Sequence, residues 1–316
     1  MHFPRFRIIK DKTHIDFMGV HKVTLAISFL MMVTTIVLLF VKGLNLGIDF
    51  TGGILIEIKK PATMHIEDIR HSLQSLGEGT PTIQEFGDES VMIKIPGKEA
   101  DNATQKAIYA EVQTLLGSEV EFRRTEYVGP QVGDELIMTG VKAFLWAMAG
   151  ILCYIWFRFE WQFGLTAVLA LVHDGCATLL FFILTGFEFD LSTIAAVLLI
   201  SGYSLNETVV VFDRIREMLR KYRKMELAEL LNLALNDTLS RTVTTSLTTF
   251  MCMASLATFG TEAIKGFCYA MLVGIFFGPI SSNFVSSPLL MYLNIRRDPV
   301  VTTEQGGKSK VIEHGA

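Results

Sequence analysis

Six stretches of this chain are apolar almost from end to end: Val20–Val41, Ile137–Phe157, Phe163–Thr185, Leu191–Phe212, Arg241–Gly260 and Gly266–Leu293. Each approaches or exceeds the roughly 20 residues that a helix needs to cross the hydrocarbon of a bilayer. Lipid offers no partners to backbone N–H and C=O groups, so each stretch is predicted to be a helix. The first run is longer than a signal-peptide core and no small-residue cleavage site follows it. It is expected to stay in place as an anchor.

Between the first two runs the pattern changes. Residues 43–135 are hydrophilic, and their periods alternate between two and near four. "ILIEIKK" (54–60) alternates as a strand, and "MHIEDIRHSLQSLG" (64–77) has helical spacing closed by glycine. "TPTIQEFG" and "SVMIKIP" read as strands joined by a hairpin turn at Gly87–Asp88. "EADNATQKAIYAEVQTLLG" reads as a second helix and "SEVEFRRTEYV" as a last strand. The order β-α-β-β-α-β predicts a ferredoxin-like module. It carries no cysteine, no phosphate loop and no catalytic cluster. Asp49, Glu57 and Asp68 read as solvated surface, which suits a binding role better than an enzymatic one.

The pattern therefore predicts a polytopic α-helical membrane protein. It has six transmembrane helices and one ferredoxin-like α+β domain outside the cytoplasm, between helices 1 and 2. The expected division is an N-terminal cytoplasmic segment at 1–19, helix 1 at 20–42 and the periplasmic domain at 43–135. Helices 2–6 follow at 136–293, with a cytoplasmic loop at 213–240, and a tail without expected structure at 294–316.

Charge sets the orientation. Arg5, Arg7, Lys10 and Lys12 precede the first span, Lys22 lies at its start, and Arg158 lies between the second and third. Arg214, Arg216, Arg220, Lys221, Arg223 and Lys224 lie between the fourth and fifth, and Arg296 and Arg297 follow the sixth. The short opposite loops, "GFEFD" and "GTEAIK", hold only Lys265. Basic loops stay in the cytoplasm, so both termini are expected there. Composition agrees with a membrane protein: 50% of the residues are hydrophobic and 19% charged. The net charge of -4 argues against nucleic acid as a partner. Cys153, Cys176, Cys252 and Cys268 all fall in apolar runs without metal-binding spacing, so neither a metal nor a disulfide is expected.

Candidate chemistry lies where a polar group is costly. An ionisable side chain near the centre of a membrane helix costs about 2.5–3.5 kcal/mol on insertion scales, so it is a functional candidate by default. Glu207, after Asn206 in "GYSLNETVVVFDRIRE" (202–217), lies six residues before Asp213. That is roughly 9 Å inside the cytoplasmic end of the fourth span. Its helical face also carries Tyr203 and Ser204. Two readings stand: a structural carboxylate paired with a neighbouring helix, or a proton-binding group. Arg241 opens the fifth span at a similar depth and is followed by Thr245, Thr248 and Thr249. It could pair with Glu207 or snorkel to the interface. His173 and Asp174, in the third span, could line a polar channel or hold helices together. Asp213 is a weaker candidate, because Arg214 and Arg216 place it in an ordinary charge cluster at the membrane edge. In the sixth span Ala270, Gly274, Gly278, Ser282 and Ser286 recur every four residues, a stripe that permits close helix packing.

These motifs also carry a resemblance. "GIDFTGG" (47–53), "EYVGPQVG" (126–133), "FRFEWQFG" (157–164), "LVHDG" (171–175) and "GYSLNETVVVFDRIRE" resemble, in series, the SecF side of the SecD/SecF family, within the resistance-nodulation-division superfamily. A SecD would have a much larger region between its first two spans. The resemblance implies a bacterial inner-membrane subunit that needs SecD as its other half and associates with the SecYEG channel. It implies use of the proton-motive force to promote preprotein export. ATP hydrolysis falls to the separate motor SecA, YajC is a further associated subunit, and protons are the coupling ion in place of any cofactor. It implies proton transport at Glu207 and Arg241, with an aspartate from SecD. One departure stands out: the family usually has aspartate where this chain has Glu207. The glycines of "DFTGG" and "VGPQVG" are expected to shape the junctions of the domain. Two other readings remain: a half-transporter of the same superfamily that exports a lipid or small solute, and an assembly factor whose buried charges only hold helices together. An intramembrane protease is set aside, since no serine–histidine dyad or aspartate pair lies at suitable depth.

Overall fold

The computed structural model describes residues 13–293 and Ile295, apart from 62–63, 74–80, 87–89, 97–101 and 118–119. Helix α1 (His21–Val41) is followed by a short helix α2 (Ile48–Thr51) and strand β1 (Gly53–Lys59). Next come α3 (Ile66–Leu73), β2 (Thr82–Phe86), β3 (Ser90–Pro96), α4 (Asn102–Leu116) and β4 (Glu121–Val128). The long helices are α5 (Pro130–Arg158), α6 (Trp161–Thr185), α7 (Leu191–Lys221), α8 (Leu227–Phe259) and α9 (Glu262–Ser281). A π-helical turn at Ser282–Ser286 and helix α10 (Ser287–Tyr292) continue the last of them.

The sheet runs β2-β3-β1-β4 with every neighbouring pair antiparallel. Alternation in β1 and β3 puts isoleucines on one face in register, Ile54 opposite Ile95 and Ile56 opposite Ile93. That face is fully buried beneath Ile69 and Leu73 of α3 and Val112 of α4, forming the domain's own core. The turn expected at Gly87–Asp88 lies outside the described residues. Gly52 and Gly53 both have positive φ, 72° and 147°. A Cβ on Gly53 would fall 2.3 Å from the Ile95 carbonyl oxygen, so only glycine fits where β1 begins against β3.

Among the described residues, five helices are long and apolar enough to cross a membrane: α1, most of α5, α6, α7 and the rod from Ile264 to Tyr292. The expected fifth span, Arg241–Gly260, is helical but is not among them. It forms the second half of α8, and its serines and threonines lower its apolarity. α8 begins early because Leu230, Leu231, Ala234 and Leu235 make one buried face. The stretch 213–240, expected as a loop, is consequently helical except at residues 222–226. α5 likewise starts before residue 135, with proline at its first turn, where a missing N–H costs nothing. The tail 294–316 lies outside the described residues, except for Ile295, which is buried.

α7 and α9 are the most extensively packed helix pair, with α6 and α8 closing around them. The sheet domain is joined to this bundle by a backbone clamp. The Gly47 N–H donates to the Phe189 carbonyl at 2.9 Å and the Phe189 N–H to Asn45 at 2.8 Å. Asp49 accepts from the Leu191 N–H at the start of α7 at 3.1 Å. Lys94 on β3 reaches both carboxylate oxygens of Glu188, in the α6–α7 loop, at 2.7 and 2.8 Å.

Candidate functional site

The site is a polar seam where α6, α7, α8 and α9 meet. Glu207, on α7, is 4% exposed. Its Oε1 accepts a hydrogen bond from Ser246 Oγ of α8 at 2.5 Å. Its Oε2 has no hydrogen-bond partner among the described residues. The Tyr203 hydroxyl, one turn back on α7, faces the same carboxyl and is also buried without a bond of proper geometry. A buried polar atom without a partner is costly, on the order of 1–3 kcal/mol.

α9 comes close because it carries glycine here. A Cβ on Gly278 would lie 3.7 Å from Glu207 Oε2 and from Ser204. One turn away, a Cβ on Gly274 would fall 2.4 Å from the Ile200 side chain. One turn the other way, the Ser282 hydroxyl meets Thr208 at 2.8 Å. Gly274, Gly278 and Ser282 of the four-residue stripe thus face α7. Where α9 passes Pro279 the helix loosens into the π turn, and Ser286 and Ser287 hydroxyls both donate to the Ser282 carbonyl.

Asp174 and His173, on α6, are 1% and 2% exposed. Asp174 Oδ2 accepts from Ser204 of α7 at 2.5 Å and from Ser281 of α9 at 2.8 Å. Asp174 Oδ1 lies 3.1 Å from His173 Nδ1. Adjacent residues on a helix point about 100° apart, yet here they bond, because the aspartate turns toward α7 and α9 and the imidazole follows it.

Arg241 is elsewhere. It is exposed on α8, and no ion pair joins it to Glu207 among the described residues. The pairing allowed by depth is not made for a geometric reason. Arg241 precedes Ser246 by five residues, which is about 7.5 Å along α8 and about 140° around it. Thr245 and Thr248 share its exposed side, and each donates its hydroxyl to a carbonyl within the preceding turn. Asn206 is exposed on α7. Asp213 is half-exposed and accepts from Arg158 at 3.0 Å, at the end of α5. Sequence reasoning missed Ser246 and Ser281, because a buried serine within a run of hydroxyls gives no signal of which face it occupies. It also missed Asn232 and Asn236, near the start of α8. Asn236 Oδ1 accepts from the Ile15 N–H, its Nδ2 donates to the Ile15 carbonyl, both at 2.8 Å, and Asn232 Oδ1 accepts from the Met18 N–H at 3.0 Å.

Comparison with known proteins bears on what this seam belongs to. A family described as "Protein export membrane protein SecD/SecF, C-terminal" matches residues 108–296, and the "SecD/SecF GG Motif" matches residues 37–59, which include Gly52 and Gly53. A protein translocase subunit SecF from Rickettsia bellii is 42% identical over 287 residues, covering 90% of this chain and 95% of that one. The SecF subunit of Pseudomonas aeruginosa is 39% identical over 290 residues, covering 91% and 94%. The crystal structure of SecDF, a translocon-associated membrane protein from Thermus thermophilus, superimposes with a TM-score of 0.78 at 34% identity. That match covers 92% of this chain but 40% of the longer SecDF polypeptide. With the membrane helices, the glycine pair at β1 and matches along nearly the whole length all in agreement, the chain belongs to the SecD/SecF family, as an auxiliary SecF-type subunit of the Sec protein translocase.

Proposed function

We propose that this subunit works with a SecD partner in the bacterial inner membrane, where the pair uses the proton-motive force to promote preprotein export. SecYEG supplies the channel, SecA supplies ATP hydrolysis and YajC is an accessory neighbour. In this reading α8 crosses the membrane as the fifth of six spans, both termini are cytoplasmic and the sheet domain is periplasmic. The sheet order and its antiparallel pairs support a ferredoxin-like domain. The division at 20–42, 43–135 and 136–293 follows the same scheme.

Glu207 is the proton-binding group. The observation that carries the proposal is its setting: a carboxyl 4% exposed within a membrane helix, with one oxygen bonded to Ser246 and the other without a hydrogen-bond partner among the described residues. Loading and unloading a proton there changes the cost of burying it and biases the packing of α7 against α8 and α9. A unit charge crossing the full potential is worth about 2.3 kcal/mol per 100 mV, ample to drive such a bias. Arg241 supplies positive charge from the exposed face of α8. Together with Thr245, Thr248 and Asn206 it forms a polar surface, and SecD helices would cover it. α7 conveys the change outward, because its first residue is bonded to Asp49 beside the sheet domain.

The test is Glu207→Gln in inverted membrane vesicles. The variant is expected to insert and to co-purify with SecD, yet to lose the gradient-driven part of export while ATP-driven export remains. Full gradient-driven export by this variant would sink the proposal. Failure to assemble with SecD would favour a structural carboxylate.

A further inference from the structure

The buried seam holds a second carboxyl. We propose that Asp174 is a proton carrier in series with Glu207, placed on the side of the sheet domain, with Ser204 as the link between them. This rests on the reading of Glu207 as a proton-binding group and extends it to a path.

Position is the first argument. Ser204 precedes Glu207 by three residues on α7, about 4.5 Å toward the end of the helix that meets the sheet domain. Asp174 is bonded to Ser204 at 2.5 Å, so it lies beyond Glu207 in that direction. Glu207 and Ser204, the residue bonded to Asp174, border one small space, since the position of a Cβ on Gly278 is 3.7 Å from Glu207 Oε2 and from Ser204 Cβ alike. A proton entering from the sheet-domain side therefore meets Asp174 first.

Surroundings are the second. From α6 comes His173, from α7 come Ser204 and Glu207, and from α9 come Ser281 and the Phe277 ring, 6.1 Å from the His173 ring. No lysine or arginine is bonded to Asp174 among the described residues. A carboxylate kept only to hold helices together would carry a fixed cation or be replaced by a neutral group at lower cost. Asp174 instead has rotatable hydroxyls from two other helices and one imidazole, all able to pass a hydrogen bond either way. Two buried carboxyls near one another cannot both be charged cheaply, so the pair favours sharing one proton. The transfer breaks the O–H bond at Asp174 and forms one at Glu207. Asp174 goes from acid to carboxylate and Glu207 from carboxylate to acid, the Ser204 hydroxyl between them taking the proton from Asp174 and giving its own to Glu207.

The test uses the full SecF-type subunit with SecD, in vesicles and by infrared spectroscopy of the purified complex. Wild type is expected to show carboxyl C=O absorption that changes with pH in two components. Glu207→Gln should remove one, and Asp174→Asn should remove the other. In vesicles Asp174→Asn should lower gradient-driven export by about a hundredfold, the low end for loss of a positioned proton-transfer group. Asp174→Glu should restore part of it. If Asp174→Asn fails to assemble with SecD, Ser204→Ala serves in its place, and it should slow gradient-driven export while leaving both infrared components present. A wild-type rate in Asp174→Asn, or in Ser204→Ala where that variant stands in, overturns the relay, as does an unchanged infrared titration in Asp174→Asn. If Glu207→Gln is inactive while Asp174→Asn is not, only the relay fails. If Glu207→Gln is itself active, the underlying reading fails first.

Discussion

Two glycines on one face of α9 act differently. Gly274 has no room for a methyl group, because its Cβ would sit 2.4 Å from a buried isoleucine that cannot swing away. Gly274→Ala is expected to push α7 and α9 apart and to cost about 1–3 kcal/mol, the usual range for overpacking. Gly278→Ala places its methyl at ordinary contact distance, and alanine gains about 1 kcal/mol in helix propensity over glycine. It should leave the thermal midpoint in detergent unchanged or raised, yet slow gradient-driven export, because the methyl lies against Glu207 Oε2. Equal losses of midpoint in both variants would contradict this. The cost of a carboxylate in an apolar run was enough to single out Glu207 from the sequence. The same cost applied to Asp174, but the hydroxyls that make it useful come from residues 30 and 107 positions away.

Among elements, the segment from Thr13 to Gly19 shows what the hydropathy pattern leaves out. It belongs to the expected N-terminal cytoplasmic segment, 1–19, and is strapped to the first turns of α8. Phe17 and Met18 are buried among the ends of α5, α6, α7 and α10. Asn232 and Asn236, one turn apart, bond to its backbone. Asp16 closes the strap: the Asn232 amide, then the Gly19 N–H, hold its carboxyl below the usual carboxylate value. A folded value that is lowered contributes stability above the unfolded value, and that contribution is lost as pH falls through the folded one. Hydrogen exchange at the Ile15 and Met18 N–H groups is therefore expected to speed up in the acid range below the ordinary carboxylate value. Asp16→Asn should flatten that dependence. An identical acid dependence in the variant would rule out Asp16 as the cause.

At the scale of the whole molecule, the unfinished part is the outer side of α7 and α8. If α8 crosses the membrane as proposed above, showing Arg241, Thr245 and Thr248, with Asn206 of α7, to lipid is costly unless another helix covers them. Thr248→Trp fills that surface without touching the buried seam. It is expected to abolish co-purification with SecD while the subunit still inserts and keeps its own thermal midpoint. Retained co-purification would place the partner on another face. The amino-acid sequence alone determined that the chain is built of membrane helices with a small αβ insertion, because hydrocarbon gives backbone groups no partner but their own helix. It also made Glu207 a candidate, because burial cost is local to a residue and its run. Only the tertiary structure decided which side chains meet. Ser246 rather than Arg241 reaches Glu207, because five residues rotate a helix by about 140°. Asp174 joins three helices, because close approach depends on glycines and serines whose facing is set by packing between segments far apart in the chain.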